Sequence, residues 1–199
     1  MLKLADRNYW IFDMDGTLTV ANHDFEAIRA ALDIPSGQPI LEALSQLPAA
    51  QAQPRWAKLY ELELEIAHTT QAQPGAGELL ERLRSRHDCR IGILTRNSKS
   101  IAHQTLAACG LLAFFEPDAI LSRDCCAPKP QPDGIIQLLQ QWDATPDRAV
   151  MVGDYVFDLL AGRNAGTATV HLDVTGVFEW PEHTDYCVTQ LAELAMLLD

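Results

Sequence analysis

Short apolar runs alternate with longer amphipathic segments through most of this 199-residue chain. Apolar runs bounded by Gly, Pro or Asp are typical of buried strands, whereas apolar residues spaced three and four apart indicate helices. On this basis we predict strands over residues 9–12, 90–94, 119–121, 149–152 and 167–172. Residues 186–188 are a candidate for a last strand.

From residue 74 onwards, amphipathic segments alternate with the apolar runs. The spacing of apolar residues predicts helices over 74–87, 98–109, 132–142, 156–164 and 191–198. Alternation of this kind, with strands that are apolar throughout, is typical of a parallel sheet covered by helices on both faces. We therefore predict an α/β fold with a doubly wound parallel sheet.

Residues 20–72 do not follow this alternation and are predicted to be all-helical. One helix begins near Asp24 and ends before Pro35-Ser36-Gly37, and a second covers residues 40–47. A polar stretch between Pro48 and Pro54 is predicted to break the chain before a third helix over 55–68. We predict a core domain over 1–19 and 73–199, with residues 20–72 inserted as a small helical domain.

Two aspartates, Asp13 and Asp15, directly follow the first predicted strand and precede Gly16 and Thr17. In open α/β sheets, ligands bind outside the carboxyl ends of the strands. Buried charges are costly unless they are paired or coordinate a metal. The pattern therefore indicates a metal or catalytic site, although a solvated aspartate turn would produce the same short motif.

Two further segments carry polar groups at or near predicted strand ends. Thr95, Arg96 and Asn97 follow the second strand, where a hydroxyl and free backbone N–H groups can bind phosphate oxygens or cap the next helix. Lys129 lies between Pro128 and Pro130, which restrict the backbone on both sides. A stiff loop of this kind suits a lysine that must meet a fixed anion, and it also suits an ordinary surface lysine.

The fourth segment is Gly153-Asp154, after the strand over 149–152, with Asp158 four residues later. A strand end and the first turn of the next helix can direct both carboxylates towards one site. Acidic residues also favour helix N-termini for dipole reasons, which accounts for one aspartate but not for both.

In this order, the motifs Asp-x-Asp-Gly-Thr, strand-Thr, Lys-Pro and Gly-Asp-x-x-x-Asp resemble the four motifs of the haloacid dehalogenase (HAD) superfamily. They span residues 11–166, and the chain is most similar to the phosphoglycolate phosphatase-like branch. The insertion over 20–72 occupies the place of that family's helical C1 cap and is somewhat short for one. Most members of the superfamily are Mg²⁺-dependent phosphatases, and the resemblance implies the same activity here.

The resemblance also implies roles for the aspartates. Asp13 would be the nucleophile that forms an aspartyl-phosphate, and Asp15 would be the general acid and then the general base. The cofactor would be Mg²⁺, held by Asp13, the backbone carbonyl of Asp15, Asp154 and, directly or through water, Asp158.

The remaining motif residues would bind the phosphate. The resemblance implies that Thr95 and Lys129 take part in catalysis and, with Arg96 and Asn97, bind the substrate. Six residues of the insertion are weaker candidates for substrate contact, since surface exposure or packing within the insertion explains each of them better: His23, Asp24, Phe25, Arg29, Arg55 and Lys58.

We therefore expect a phosphatase that acts on a small phosphorylated metabolite. A phosphomutase or phosphotransferase shares Asp13 and Asp15, although a short cap is less suited to shielding an aspartyl-phosphate from water. A non-catalytic binding module is a further alternative. A dehalogenase is disfavoured, because the dehalogenase branch usually lacks the second aspartate, which is present here as Asp15. Gly162-Arg163-Asn164-Ala165-Gly166 suggests dinucleotide binding, but it lies within or after a predicted helix instead of between strand and helix.

Composition limits the kinds of molecule that this protein is expected to bind. The formal net charge of −12 argues against nucleic acid, and no apolar run approaches the length needed to span a membrane. The five cysteines are scattered without a C-x-x-C pair, and residues 1–7 contain no signal-peptide-like apolar segment. We expect a cytoplasmic monomer or homodimer whose partner is a small phosphate ester.

Overall fold

The sheet in the computed structural model, which describes residues 3–198, contains six parallel strands. They are β1 (Tyr9–Phe12), β2 (Arg90–Leu94), β3 (Ile120–Leu121), β4 (Ala149–Gly153), β5 (Ala168–Leu172) and β6 (Tyr186–Val188). Their order across the sheet is β3-β2-β1-β4-β5-β6, and every neighbouring pair is parallel. The predicted doubly wound α/β fold is thus confirmed, with β1 at the centre.

Eight α-helices connect and flank these strands in the described chain. They are α1 (Phe25–Ala31), α2 (Ile40–Ser45), α3 (Ala49–Thr69), α4 (Ala76–Arg84), α5 (Lys99–Ala108), α6 (Asp133–Gln141), α7 (Val156–Ala165) and α8 (Leu191–Met196). Helix α1 begins directly after Asp24, close to the predicted start, and the Asp24 carboxylate caps it by accepting a hydrogen bond from the Ala27 N–H at 2.9 Å.

The predicted break over residues 48–54 is wrong. Pro48 is the N-cap of α3, and Pro54 lies inside that helix, in its second turn. A proline so near the start removes one backbone hydrogen bond only, at the residue-50 carbonyl. Alanine and glutamine, which fill the positions around it, are good helix formers and extend the 21-residue helix across this position.

Successive residues of β1 point to opposite faces of the sheet. Trp10 and Phe12 pack in one apolar cluster with residues of α4, α5 and α8, whereas Ile11 packs in a second cluster with residues of α6 and α7. Both faces are therefore covered by helices, which explains why the strands are apolar at nearly every position.

Helices α1, α2 and α3 enclose a separate apolar cluster formed by Ile28, Leu32, Ile34, Leu41, Leu44 and Leu59. The two segments that join them to the sheet run side by side: the Val20 N–H donates to the Gln71 carbonyl at 2.9 Å. These features support residues 20–72 as a cap, although the domain boundaries remain a prediction. We call residues 20–72 the cap and the remainder the core.

Two arginines of the core bind glutamates of the cap. Arg123 donates to both carboxylate oxygens of Glu63 at 2.6 and 2.8 Å, and Arg96 donates to both of Glu42 at 2.7 and 2.8 Å. The Arg123–Glu63 pair is the more buried, with side chains 11% and 6% exposed. Paired bidentate bonds of this kind set the position of the cap over the core.

The Arg123→Met variant should be destabilised because it leaves the Glu63 carboxylate buried without its partner. Breaking a buried pair costs about 3–5 kcal/mol, which corresponds to a fall in Tm of roughly 6 °C or more for a chain of this size. Thermal unfolding measures this fall. Lys58→Met is the matched control, since Lys58 pairs with Glu61 on the exposed surface of α3 and should change stability little. Equal falls in both variants would show that the cap–core pair has no special role.

Candidate active site

The carboxyl ends of β1, β2 and β4 lie side by side at one edge of the sheet. Phe12 of β1 is aligned with Ile93 of β2 and with Val152 of β4. Asp13, Thr95 and Asp154 follow these three strands directly. Residues far apart in the sequence thus meet because the strands are parallel and adjacent.

A tight turn after β1 joins Asp13 to Asp15. The Met14 carbonyl accepts hydrogen bonds from the N–H groups of Leu18 and Thr19, each at 2.9 Å. Gly16 has a φ of +89°, and a Cβ there would lie 2.2 Å from the nearest carboxylate oxygen of Asp154. Only glycine permits this close approach of the turn to the end of β4.

Lys129 is buried at the centre of the site, with 2% of its surface exposed. Its ammonium group donates to Asp13 Oδ1 and, at 2.6 Å, to Asp158 Oδ1. The other oxygen of Asp158 accepts the Tyr155 N–H at 3.0 Å. Burial would lower the pKa of Lys129, but the carboxylates of Asp13 and Asp158 raise it above its usual value, so that the lysine stays charged.

Asp13, Asp154 and Asp158 form a carboxylate cluster, with one oxygen from each lying within 4.8 Å of the others. Burial, reinforced by repulsion from Asp13 and Asp158, raises the pKa of Asp154 to about 8. Burial likewise raises the pKa of Asp158 to about 6. Lys129 alone does not balance this negative charge. Hard oxygen ligands and surplus negative charge are what a divalent cation such as Mg²⁺ requires, so these residues fit the ion.

Asp15 points to a different set of partners and its carboxylate is not part of the cluster. Asp15 Oδ2 accepts a hydrogen bond from Asn97 Nδ2 at 2.7 Å, and His23 Nε2 lies 4.0 Å from Asp15 Oδ1. Burial, with the charge of Glu63 adding to it, raises the pKa of Asp15 to about 7. A carboxyl group with this pKa can both donate and accept a proton near neutral pH.

The residues after β2 have partners of their own. The Thr95 hydroxyl, in a side chain that is almost fully buried, accepts the Asn97 N–H at 3.1 Å. Arg96 binds Glu42, donates to the Lys129 carbonyl at 2.8 Å, and lies over the Phe157 ring at 4.9 Å. Asn97 therefore contacts Asp15, and Arg96 contacts Glu42 of the cap. The predicted roles of Thr95, Arg96 and Asn97 in substrate binding stay predictions.

A cavity of about 330 Å³ lies between core and cap. All eight motif residues predicted as site residues line it: Asp13, Asp15, Thr95, Arg96, Asn97, Lys129, Asp154 and Asp158. Of the six cap candidates, His23, Phe25 and Arg29 line it as well. Asp24, Arg55 and Lys58 do not, and each is bound instead to other parts of the cap.

Ten lining residues were not predicted from the sequence, and four of these carry charged or aromatic side chains: Glu63, Arg123, Tyr155 and Phe157. Tyr155 and Phe157 lie inside the Gly153–Asp158 motif, so their position after β4 could have indicated them. Glu63 lies on the buried face of α3 between Leu59 and Ala67. A charged residue in such a position needs a partner, and that signal could have found it.

All five cysteines are free thiols. Within residues 3–198, none of the helices combines the length and the apolar character needed to cross a membrane.

The family described as haloacid dehalogenase-like hydrolase matches residues 10–166 of this chain. A haloacid dehalogenase-like hydrolase domain-containing protein of Arabidopsis thaliana is 32% identical, over 95% of this chain and 82% of that protein. The pyrophosphatase PpaX of Listeria innocua is 25% identical, over 94% of both chains.

A similar solved structure is that of a protein from Haemophilus somnus described as a predicted phosphoglycolate phosphatase. Its TM-score is 0.76, at 20% identity, and the match covers 98% of this chain and 99% of that one. At this identity the likeness shows the fold alone.

Proposed function

This chain belongs to the haloacid dehalogenase-like hydrolase family, and from that membership we propose that it is a Mg²⁺-dependent phosphatase of small phosphate monoesters. The observation that carries the proposal is the arrangement around Asp13. Its buried carboxylate lines the cavity, binds Lys129, and has Asp15 two residues away with a raised pKa. Similarity to the pyrophosphatase PpaX of Listeria innocua also supports chemistry on phosphate groups.

Asp13 supplies the nucleophile. Its carboxylate oxygen attacks the phosphorus, the ester P–O bond breaks, and the leaving alkoxide takes a proton from Asp15. Asp15 then removes a proton from water, which attacks the aspartyl-phosphate and releases phosphate with Asp13 restored. Dividing the reaction into two displacements replaces one difficult step by two easier ones.

The other residues hold charge in place. The Lys129 ammonium offsets the charge of Asp13 and of the phosphate, and Thr95 offers its hydroxyl to a phosphate oxygen. Asp13, Asp154 and the Asp15 carbonyl would hold Mg²⁺, which when bound neutralises the charges that meet at the phosphate. Both Asp158 oxygens already accept hydrogen bonds, which supports contact with the ion through water.

A phosphomutase with the same aspartates is the alternative within the family. Phosphate release, compared with isomerisation of a sugar phosphate, separates the two.

We place the protein in the cytoplasm, a proposal supported by its five free cysteines.

The direct test measures phosphate release from a panel of phosphate monoesters with Mg²⁺ and with EDTA. Turnover should require the metal. Binding of Mg²⁺ alone should also raise the Tm of the wild type by several degrees, because an ion at about a hundred times its Kd stabilises by about 2.7 kcal/mol. Asp154→Asn should weaken that shift. Equal turnover in EDTA would contradict the proposal, as would an unchanged Tm in both proteins.

Asn97→Ala should lower kcat about ten- to a hundredfold and leave KM nearly unchanged. Asn97 donates to Asp15, and hydrogen bonds to charged groups are worth about 1.5–3 kcal/mol. Steady-state kinetics separate the two constants. Gln140→Ala removes an exposed amide from α6 and is the matched control. A rise in KM with kcat unchanged would instead favour Asn97 as a substrate-binding residue.

A further inference from the structure

We propose that the alcohol portion of the substrate is uncharged and apolar, such as an aromatic ring or a hydrocarbon chain, and carries no second anionic group. This inference rests on the proposed phosphatase activity and adds the substrate class. It follows from two features of the cavity: the pairing of its cations and the nature of the cap surface that faces the site.

The cations that line the described cavity are Lys129, Arg29, Arg96 and Arg123, and each has an anionic partner. Lys129 binds Asp13 and Asp158 beside the position proposed for the phosphate. Its charge therefore serves the reacting end of the substrate and not the alcohol.

Each of the three arginines binds a glutamate. Arg96 and Arg123 hold Glu42 and Glu63 through two bonds apiece. The guanidinium of Arg29 binds Glu26 at 2.7 Å and the Gln38 carbonyl at 2.8 Å. A carboxylate or second phosphate on the alcohol would have to displace one of these glutamates or enter the cavity without a partner. Displacing Glu63 is costly because its pair with Arg123 is buried, and so is leaving the new anion without a partner. The carboxylates of Glu42 and Glu26 are 40% and 60% exposed, so these two pairs oppose an anion less strongly.

The carboxylate of Glu63 also lines this side of the cavity. It is bound to Arg123, so it holds that guanidinium and presents no cation to the alcohol. An anionic group on the alcohol would lie beside this carboxylate, whereas a neutral alcohol avoids that repulsion.

The cap side of the cavity is apolar. Its lining includes Phe25, Ile28, Ile40, Leu41 and Leu59, and Phe157 faces them from the core. Phe25 and Tyr155 are 53% and 51% exposed, which is high for large apolar side chains beside a cavity. An apolar group that covered them would remove this surface from water, a gain of about 25 cal/mol for each Å².

The proposed substrate class differs from the substrates in the names of this chain's relatives. Pyrophosphate and phosphoglycolate each carry a second anionic group beside the phosphate that is transferred. The paired arginines leave no place for that group. We therefore expect both compounds to be poor substrates, although the chain resembles proteins named for them.

The test compares two substrates that differ by one carboxylate: phenyl phosphate and 4-carboxyphenyl phosphate. With Mg²⁺-loaded wild type, kcat/KM should be at least about tenfold higher for phenyl phosphate. Equal values, or a preference for the carboxylated compound, would overturn the inference and leave the phosphatase activity standing. Failure to hydrolyse either compound, or any monoester of the panel, would overturn the proposed function and this inference with it.

A variant tests the cause of the preference. Glu42→Gln removes the partner charge of Arg96, so the preference for phenyl phosphate should fall by about tenfold as the freed guanidinium accepts the carboxylate. Glu61→Gln makes the same change on the exposed surface of the cap and should leave the preference unaltered. An unchanged preference in Glu42→Gln would overturn the argument from the paired arginines.

Binding gives a readout that does not depend on turnover. Benzylphosphonate and 4-carboxybenzylphosphonate carry the same uncharged and carboxylated rings, but a P–C bond replaces the ester bond, so they are not hydrolysed. Calorimetric titration of the wild type with Mg²⁺ should show tighter binding of benzylphosphonate, by about tenfold in Kd. Tighter binding of the carboxylated phosphonate would contradict the proposed substrate class.

Discussion

The Asp13→Asn variant should fold normally and lose about 10⁴-fold or more of the wild-type kcat. Loss of a nucleophile from a hydrolase usually leaves only the rate enhancement due to binding and charge stabilisation. An amide has nearly the shape of a carboxylate and still occupies the space beside Lys129, but it cannot form the acyl-phosphate. Phosphate release with phenyl phosphate measures the loss, and circular dichroism checks the fold.

Asp118→Asn is the matched control, because Asp118 is exposed and does not line the cavity. It should retain wild-type activity. Labelled phosphate should also be trapped on the wild type by acid quench and be missing from Asp13→Asn. Activity within tenfold of the wild type in Asp13→Asn would contradict the role of Asp13 as nucleophile.

The Lys129→Met variant should lose about 10³-fold or more of kcat/KM and also be less stable. Lys129 is the buried cation that binds Asp13 and Asp158. Without it these carboxylates repel each other and the incoming phosphate, and removal of one group that stabilises developing charge typically costs 10²–10³-fold. The loss should be at least about this large, because the ground-state site is disturbed as well.

Stability provides the second readout for this lysine. Leaving its buried partners unpaired should cost about 3–5 kcal/mol in the metal-free protein, seen as a lower Tm. Lys129→Arg should not restore activity, because a guanidinium is larger and holds its donors in a rigid fork. Lys99→Met, at an exposed position outside the cavity, is the control. Near-normal activity and Tm in Lys129→Met would show that the lysine is dispensable.

The cap and the core contribute different parts of the site. The core supplies the carboxylates and Lys129, which suit reaction at a phosphate. The cap supplies most of the apolar lining and all three glutamates that bind the lining arginines. Under this division, substitutions in the core should change kcat for all monoesters, whereas substitutions in the cap should change the order of preference among them.

The sequence alone was sufficient to predict the sheet and which motif residues lie together at its edge. Apolar runs of strand length are local signals, and five of the six strands agree closely with the predicted ranges while β6 agrees with the candidate range. Because parallel strands place their carboxyl ends at one edge, residues after separate strands could be expected to meet there. Asp13, Thr95 and Asp154 do so.

Local sequence signals did not predict the length of α3 or the packing of the cap. Pro54 looked like a helix breaker, yet α3 runs through it, because one lost backbone bond is outweighed by the surrounding helix formers and by packing over 21 residues. The contact of Asn97 with Asp15 was likewise not indicated by local signals, and the predicted role of Asn97 in substrate binding stays a prediction.

The pairing of the arginines was decided by the tertiary structure alone. Arg96 and Glu42 are 54 positions apart, and Arg123 and Glu63 are 60 apart. No spacing rule connects residues at such separations, because their meeting depends on how the cap helices pack over the sheet. The residues proposed to act at the phosphate could therefore be identified from short motifs, whereas the surface proposed to contact the alcohol depends on how cap and core pack together.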